Sequence, residues 1–260
     1  MLRRLTAVLL ALSLLFSLSV AFADDLLDTV KAAGKIVIAT EGDWAPWTYH
    51  DETDALVGFD VDVARAVAAY LGVEASFVDC PWESIFMGID SKMYDITANG
   101  VEITEDRSTK YDFSVPYAYL RTVIIVRGDN DSIASFEDLK VKRTVNSAGS
   151  TYALTAEEYG ATADIVSTLA QTMDLVLIGS ANATLNAELS FYDYMAEHPE
   201  ANLKIAAISE SASPVAIPVR KGAENATFLA AINEAIEALR ADGTLKAISE
   251  KYFGVDITAQ

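Results

Sequence analysis

Short apolar strands and amphipathic helices alternate along nearly the whole chain. KIVIAT (35–40) is a β-branched run of strand length, and residues 58–71 carry apolar side chains at four-residue spacing, which indicates a helix. RTVIIVR (121–127) is the strongest β segment. Since strand–helix–strand alternation is typical of parallel sheets covered by helices, the chain is predicted to have an α/β fold.

The other predicted elements continue this alternation. Strands are expected at 74–78, 94–99, 143–145, 164–168, 183–187, 203–208 and 215–219. Helices are expected at 82–89, from Thr104, at 135–140, at 150–159, up to Leu177, at 188–197 and in two C-terminal segments, the last capped by Thr244. No internal repeat or low-complexity linker interrupts the series, so two lobes would be joined by strands rather than by a loose tether.

The N-terminal residues have the composition of an export signal. Residues 1–23 contain Arg3 and Arg4, then an apolar run, then a small-residue cleavage pattern directly before Asp24 and Asp25. This order is typical of a cleaved signal peptide, and the apolar run is short and serine-interrupted for a membrane span. No cysteine follows the run, which argues against a lipid anchor. We therefore expect a free, periplasmic mature protein.

Composition excludes several kinds of site. Loss of the signal changes the net charge from −19 to −21, and so acidic a surface is a poor partner for nucleic acid or anionic membranes. Cys80 is the only cysteine, so no intrachain disulfide is possible. His50 and His198 lie far apart without ligand spacing. A histidine metal site is not expected, and no cofactor is predicted.

Residues 103–117, ITEDRSTKYDFSVPY, place one cation just behind a helix start. Thr104 is a good N-cap, and Glu105 and Asp106 suit the first turn. Arg107 brings a guanidinium, a bidentate partner for a carboxylate, close to the backbone N–H groups of that turn. These residues predict a carboxylate receptor. From the local sequence alone, the alternative is that Arg107 pairs with acids of its own helix on the surface.

Three segments resemble a known family in their order and spacing. They are GFDVDVARAVAAYLG (58–72), ITEDRSTKYDFSVPY (103–117) and DGTLKAISEKYFG (242–254). The chain is similar to bacterial extracellular solute-binding proteins of the polar amino-acid family of ABC importers, which are type II periplasmic binding proteins. The resemblance extends over 35–258 and implies an α/β fold of two Rossmann-like lobes, joined by two crossover strands, with the ligand in the cleft between them.

The resemblance also implies lobe boundaries and a function. The first lobe would comprise 24–118 and 219–260, the second 124–213, and the hinge strands 119–123 and 214–218. The expected protein is the periplasmic binding component of an amino-acid ABC transporter, which closes around a polar or cationic amino acid or derivative. Its expected partners are that small molecule and the importer permease in the membrane. A monomer without enzymatic activity, cofactor or nucleic acid is expected.

The ligand-binding residues follow from the same resemblance. Arg107 and Thr151 would hold the ligand carboxylate, and Trp44 and Trp82 would form flat walls for its side chain, whereas Trp47 is expected in the lobe core. Further candidates for the cleft are Phe86 and Tyr119. The full predicted set is Arg107, Thr151, Trp44, Trp82, Glu102, Asn99, Gly100, Ser150, Glu41 and Tyr152.

Two positions depart from the family pattern. Glu102 stands where a small hydroxyl residue commonly contacts the ligand, and Ala187 stands where many members have an aspartate that pairs with the α-ammonium. Glu102 is expected to take over the ammonium, or Glu188 if the register shifts by one residue. Otherwise the ligand lacks an ordinary free amine. Asn99 and Asn186 offer additional hydrogen-bonding groups.

Two other functions stay open from the sequence. The same scaffold hosts a dehydratase acting on cyclic carboxylates, and Glu102 in an aromatic cleft would be its candidate acid or base. The sequence has no Ser-His-Asp or Cys-His set and no glycine-rich phosphate loop that would favour an enzyme. A ligand sensor reporting to a membrane receptor would have the same sequence features. Neighbouring genes would separate a transport receptor from a sensor: a permease and an ATPase gene indicate transport, and a kinase gene indicates sensing.

Overall fold

The fold is described for residues 25–259 by a computed structural model. The predicted signal segment, 1–23, lies outside the described residues. Within 25–259, no helix has both the length and the apolar character needed to cross a membrane.

Helices and strands alternate as the sequence predicts. The α-helices of the described part are α1 Leu26–Ala33, α2 Phe59–Leu71, α3 Trp82–Asp90, α4 Glu105–Lys110, α5 Thr151–Glu158, α6 Leu169–Leu177, α7 Glu188–Glu197, α8 Ala226–Ala241 and α9 Thr244–Phe253. The strands are β1 Lys35–Thr40, β2 Asp43–Trp44, β3 Thr48–His50, β4 Leu56–Val57, β5 Glu74–Asp79, β6 Ile96–Thr97, β7 Tyr111–Phe113, β8 Ala118–Leu120, β9 Thr122–Arg127, β10 Arg143–Asn146, β11 Thr162–Ile165, β12 Thr184–Ala187, β13 Leu203–Ile208, β14 Ser213–Val215 and β15 Pro218–Arg220. Short 3-10 turns occur at Glu137–Leu139 and Ala223–Asn225.

The first lobe is the group of elements around a parallel sheet of order β5-β1-β6. Ile36 and Ile38 of β1 are fully buried. Helices α2 and α8 cover this core, where Val63 and Val67 of α2 belong to the same apolar cluster as Ile232 of α8. The carboxyl ends of β1, β5 and β6 lie at one edge of the sheet, so the loops that follow them lie side by side.

The second lobe is the group of elements around β9, which pairs with β12 on one side and β13 on the other. Both pairings are antiparallel, whereas β10 and β11 are parallel and join β12 through a parallel bridge between Thr144 and Ala183. The strand–helix alternation predicted parallel sheets, and that prediction is wrong for the strands around β9. Strand β9 enters this sheet from β8, which lies in a different sheet, and no single crossover helix of the described part joins β9 to β12 or β13, the kind of connection that makes two strands parallel.

Two strands carry the chain between the lobes. β8 and β14 pair antiparallel, with Tyr119 opposite Pro214. The C-terminal segment packs on this pair, and the Tyr119 N–H donates to the Ile257 carbonyl oxygen at 2.8 Å. The molecule is thus an α/β protein of two lobes joined by crossover strands. The lobe and hinge boundaries taken from the resemblance stay a prediction.

Several local predictions were wrong for identifiable reasons. The expected strand 215–219 is interrupted, because β14 ends at Val215 and β15 begins at Pro218 in a different sheet. The expected strand 164–168 lies at Thr162–Ile165, where its register with β10 pairs Thr162 with Arg143. Thr244 does not cap α9: the cap residue is Gly243, in a left-handed conformation at φ 84°, and the Thr244 N–H donates to the Asp242 carboxylate at 2.9 Å.

Candidate functional site

A cleft between the two lobes contains all ten residues predicted to bind ligand; their role as ligand contacts stays a prediction. The cavity that remains in it measures about 50 Å³. The first lobe contributes Glu41, Asp43, Trp44, Trp82, Asn99, Gly100, Glu102 and Arg107 to the cleft wall. The second lobe contributes Asn146, Ser147, Ser150, Thr151, Tyr152, Leu169, Thr172 and Asn186. Sequence reasoning missed Asp43, Asn146, Ser147, Leu169 and Thr172.

Arg107 is held by the helix start that the sequence predicts. The Thr104 hydroxyl accepts from the Arg107 backbone N–H at 3.2 Å and so caps α4. The guanidinium lies over the rings of Trp82 and Phe86, 5.2 and 5.3 Å from their centroids. Its N–H groups donate to the carbonyl oxygens of Glu102, at 3.1 Å, and Gly149, at 3.4 Å. These contacts fix its position through aromatic faces and neutral acceptors.

The Arg107 guanidinium is a buried cation. The residue is 7% exposed, and it forms no ion pair within 4 Å among residues 25–259. Desolvation by burial lowers the pKa of Arg107, and the nearby Glu102 charge opposes that shift. A buried cation without an anion is unfavourable, so this wall of the cleft is suited to an incoming carboxylate.

Trp44 connects the two walls through its indole N–H. Its Nε1 donates to the Asn186 Oδ1 of the second lobe at 3.0 Å, and its ring stacks on Trp47 at 5.2 Å and 9°. The indole lies so close to Gly100 that a Cβ there would be 2.4 Å from Trp44 Cζ3. Gly100 also has φ 57°. Both facts require glycine at this position.

The backbone N–H of Gly100 is hydrogen-bonded to a buried acid, Asp60. The Gly100 N–H donates to Asp60 Oδ2 at 2.5 Å, and the Tyr117 hydroxyl donates to Asp60 Oδ1 at 2.7 Å. Burial raises the pKa of Asp60 to about 7, against the lowering effect of these two hydrogen bonds. Asp60 lies at the start of α2, in the GFDVD motif, and holds the glycine that supports Trp44.

Glu41 and Asn99 form a second polar group on the first-lobe wall. Asn99 Nδ2 donates to Glu41 Oε2 at 2.6 Å, and the Glu41 backbone N–H donates to Asn99 Oδ1 at 2.8 Å. Burial raises the pKa of Glu41 to about 7, and repulsion from Asp43 and Glu83 adds to the shift. Burial also raises the pKa of Asp43. This part of the cleft therefore favours a positively charged group.

Ser150 and Thr151 present the start of α5 to the cleft. The Ser150 hydroxyl caps the helix by accepting from the Ala153 N–H at 3.1 Å. The Thr151 hydroxyl donates to the Glu102 carboxylate, which is 5% exposed, across the gap between the lobes. Glu102 is therefore on the cleft wall, within reach of a bound ligand. Within residues 25–259, the hydrogen bond from Thr151 to Glu102 joins a charged group of one wall to a hydroxyl of the other.

Asn146 ends β10 on the second-lobe wall and is 1% exposed. Its Nδ2 donates to the Leu185 carbonyl oxygen at 2.8 Å and to Thr184 Oγ1 at 3.2 Å. Its Oδ1 is buried without a hydrogen-bond partner among residues 25–259. The sequence signal was a polar residue directly after the predicted strand 143–145, a position that often lies at a site in α/β proteins.

Other residues singled out in the sequence lie outside the cleft wall. Trp47 is fully buried in the first-lobe core against Phe59 and Phe253, where the sequence predicted it. Phe86 lies beside the Arg107 guanidinium but is not part of the cleft wall. Tyr119, Ala187 and Glu188 line a different cavity near the crossover strands. Glu188 pairs there with Arg121 through two 2.9 Å hydrogen bonds.

The cleft wall carries more negative than positive charge. Its carboxylates are Glu41, Asp43 and Glu102, and Arg107 is the cation among the described wall residues. No group of three or more His, Cys, Asp or Glu side chains within 25–259 is arranged to hold a metal ion. The wall therefore combines one buried cation with an excess of carboxylates.

Two α/β lobes around such a cleft define a solute receptor of the periplasmic-binding-protein type. Residues 36–255 match the sequence profile of the bacterial extracellular solute-binding proteins, family 3. The chain belongs to this family. The fold and the family membership thus agree with the resemblance seen in the sequence motifs.

Similar proteins are known by sequence and by structure. The probable amino-acid ABC transporter-binding protein of Haemophilus influenzae is 38% identical over 97% of this chain and 97% of its own length. An ancestral arginine-binding protein bound to arginine has a TM-score of 0.80 and 34% identity, covering 85% of this chain and 99% of that one. The L-cystine solute receptor of Neisseria gonorrhoeae, unliganded and open, has a TM-score of 0.60 and 36% identity, covering 90% and 99%. The whole fold thus superposes more closely on the arginine-bound structure than on the open receptor.

Proposed function

We propose that this protein is the periplasmic substrate-binding component of an amino-acid ABC transporter. Its two lobes close around a polar or cationic amino acid or derivative. The observation that carries the proposal is Arg107, a buried guanidinium that faces the interlobe cleft without an ion pair among residues 25–259. A ligand carboxylate would supply the missing anion through bidentate hydrogen bonds.

The remaining charges favour a ligand that is positive as well. Glu41, Asp43 and Glu102 outnumber the single cation on the described wall, so a ligand with only a carboxylate would enter an unfavourable field. Trp44 and Trp82 add aromatic surface suited to a flat or cationic side chain. A ligand matches this arrangement if it has a carboxylate at one end and one or more amines, or a guanidinium, elsewhere.

The names of similar proteins support the same ligand class. The Haemophilus influenzae relative is described as an amino-acid ABC transporter-binding protein, the ancestral structure as bound to arginine, and the Neisseria gonorrhoeae receptor as one for L-cystine. Arginine and cystine each combine a carboxylate with positively charged nitrogen. They are therefore the first ligands to test.

The compartment and the partners follow from the family and the sequence. Members are extracellular solute-binding proteins, and residues 1–23 have the sequence pattern of a cleaved signal. In the periplasm, the closed receptor would present its ligand to an importer permease in the membrane, as a monomer. Ligand contacts on both lobes would favour the closed population over the open one.

We propose binding rather than catalysis. The similar proteins named above are binding proteins, and the proposed use of Arg107 and the carboxylates requires no covalent step. Incubation with cyclic carboxylates, followed by chromatography of the products, tests the dehydratase alternative. Turnover of any of them by the purified protein would contradict the proposal.

A thermal-shift screen tests the proposed ligand class. The standard amino acids, L-cystine, L-ornithine and a series of small carboxylates are added to the purified mature chain. A ligand that binds only the folded state at 100 times its Kd stabilises it by about 2.7 kcal/mol, which raises the unfolding midpoint by several degrees. We expect the response from a cationic or polar amino acid, and calorimetry then gives its affinity. A response confined to amine-free carboxylates would contradict the proposal.

A further inference from the structure

One buried acceptor on the cleft wall lacks a donor. Asn146 is 1% exposed at the carboxyl end of β10, and its Oδ1 has no hydrogen-bond partner among residues 25–259. A buried acceptor left unpaired is unfavourable, so such atoms are uncommon and call for a physical reason. The cleft that Asn146 lines suggests that reason.

The orientation of the amide is set by its neighbours. Nδ2 donates to the Leu185 carbonyl oxygen at 2.8 Å and to Thr184 Oγ1 at 3.2 Å. The Thr184 hydroxyl gives its own proton to the Val145 carbonyl oxygen at 2.7 Å, so towards Asn146 it can act only as an acceptor. Rotating the amide by half a turn would place Oδ1 against two acceptors. The unpaired atom is therefore the oxygen.

The other two asparagines of the cleft wall differ from Asn146 in this respect. Asn99 Oδ1 accepts from the Glu41 N–H at 2.8 Å and from Thr40 Oγ1 at 3.0 Å. Asn186 Oδ1 accepts from Trp44 Nε1 at 3.0 Å and from its neighbour's backbone N–H. The remaining buried side-chain atoms without partners in the described part, Trp47 Nε1, Thr144 Oγ1 and Ser190 Oγ, are not on the cleft wall.

We infer that Asn146 Oδ1 accepts a hydrogen bond from the α-amine of the ligand, and so selects ligands with a free amine next to their carboxylate. The inference rests on the proposed function and specifies the ligand further. Ala187, near the end of the neighbouring strand β12, offers no side-chain acceptor. An ammonium group has three protons, and Asn146 Oδ1 and the Glu102 carboxylate, from opposite walls, would each accept one.

A neutral amide is a weaker partner for an ammonium than a carboxylate. Asn146 would therefore contribute more to selectivity than to affinity. A ligand with an N–H donor gains a hydrogen bond, whereas a ligand without one leaves the Oδ1 acceptor buried and unpaired. A site built to hydrogen-bond an amine discriminates against an analogue that lacks it, because the acceptor of the protein then stays unpaired. N-acylated or des-amino compounds should bind poorly for this reason.

Calorimetry on two pairs of probes tests the inference. Each pair is an amino acid and its des-amino analogue: L-arginine with 5-guanidinopentanoic acid, and L-cystine with 3,3′-dithiodipropionic acid. The wild-type protein should prefer the amine-bearing member of the pair that binds. Asn146→Ala removes the hydrogen bond to the amine and also the acceptor that the analogue leaves unpaired. It should therefore lower affinity for the amine-bearing member, leave affinity for the analogue unchanged or raised, and reduce the preference for the amine by about tenfold or more.

Thr184→Val completes the test. It removes one anchor of the Asn146 amide but keeps Oδ1, so the preference for the amine should persist. The ratio of affinities within one variant is insensitive to the amount of folded protein, which keeps the comparison valid if a variant is less stable.

The outcomes separate the inference from the proposed function. Equal losses for both members of a pair in Asn146→Ala would mean a structural role, and would overturn the inference while leaving amino-acid binding intact. An unchanged preference for the amine would overturn it as well. Failure of every amino acid to bind the wild-type protein would overturn the proposed function itself, and the inference with it.

Discussion

The two walls of the cleft differ in the chemistry they bring to a ligand. The first-lobe wall contains the carboxylates, the arginine and the two tryptophans, whereas the second-lobe wall contains hydroxyls, amides and one tyrosine. Burial raises the pKa of Tyr152 far above its ordinary value, so that side chain is neutral too. Charge recognition therefore resides in one lobe, and neutral hydrogen bonding resides in the other.

This division indicates an order of events. Charged groups act over a longer range than hydrogen bonds, so a ligand would first associate with the first lobe while the cleft is open. The second lobe would then add short-range contacts through Asn146, Ser150 and Thr151, which form only on closure. Substitutions on the first-lobe wall should thus have the larger effects on affinity, and those on the second-lobe wall should act on selectivity and on closure.

The largest effect is expected from Arg107→Ala. Loss of one partner of a desolvated charge pair costs about 2–5 kcal/mol, which corresponds to a loss of affinity of at least about thirtyfold. Calorimetry with the ligand found by the screen measures it. Arg143→Ala is the matched control, because Arg143 pairs with Asp164 on the surface of the second lobe. If Arg107→Ala bound the ligand with wild-type affinity, the assignment of charge recognition to the first lobe would be contradicted.

Glu102→Gln should have the next largest effect. Glu102 lies on the first-lobe wall and accepts from the Thr151 hydroxyl of the second lobe. If its carboxylate also holds the ligand amine, the variant should bind an amine-bearing ligand about tenfold more weakly, since a charge-assisted hydrogen bond is lost. The affinity for a des-amino analogue should change little. Equal losses for both ligands would mean that Glu102 only connects the lobes.

The pH dependence of binding tests Glu41. Because burial raises the pKa of Glu41 to about 7, the folded protein keeps this proton at pH values where the unfolded chain has lost it. Its contribution to the free energy of unfolding therefore falls as pH rises from its ordinary pKa to about 7, and is constant above. A cationic ligand favours the ionised form, so its affinity should rise by about tenfold between pH 6 and pH 8.

Glu41→Gln serves as the reference for that measurement. Asp60 titrates in the same range, with its pKa also near 7, but it is present in both proteins. The difference between the two pH profiles therefore isolates Glu41. If the affinity of Glu41→Gln changed with pH as steeply as that of the wild type, the pH dependence would belong to another group. Glu41 would then no longer count towards the difference in charge between the two walls.

The smallest effect is expected from Trp44→Phe, which removes the one indole N–H that reaches the second lobe. A neutral hydrogen bond contributes about 0.5–1.5 kcal/mol, so affinity should fall by about two- to tenfold. Trp47→Phe is the matched control, because Trp47 Nε1 has no partner among residues 25–259. Tryptophan fluorescence should change on ligand addition in the control. A larger loss of affinity in Trp47→Phe would reverse the roles assigned to these two residues.

The sequence predicted those features that depend on local signals. Strand β1 was predicted with its observed bounds, and the N-cap of α4 followed from Thr104 and the two acids after it. The antiparallel pairing of β9 was not predicted, because a strand's direction depends on where the chain enters the sheet rather than on its own residues. The ten residues on the cleft wall were predicted from the resemblance to a known family rather than from local signals.

What the sequence did not reveal depends on partners distant in the chain. The unpaired oxygen of Asn146 is recognisable only once Thr184 and Leu185 are seen to hold its amide nitrogen. The role of Asp60 likewise requires Tyr117 and Gly100 to meet in the core. Both are polar residues whose hydrogen-bond partners lie about forty or more positions away. No periodicity or spacing within one element indicates such a contact.

The close approach of Gly100 to the Trp44 ring limits how the binding site can change during evolution. A methyl group at position 100 would overlap the indole, and a smaller side chain at position 44 would leave a gap and lose the bond to Asn186. A smaller side chain at position 44 would relieve that overlap but not the left-handed backbone of Gly100 at φ 57°, which still favours glycine. The cost of a change at position 100 therefore depends in part on the residue at position 44, whereas position 44 can take a smaller side chain without a second mutation.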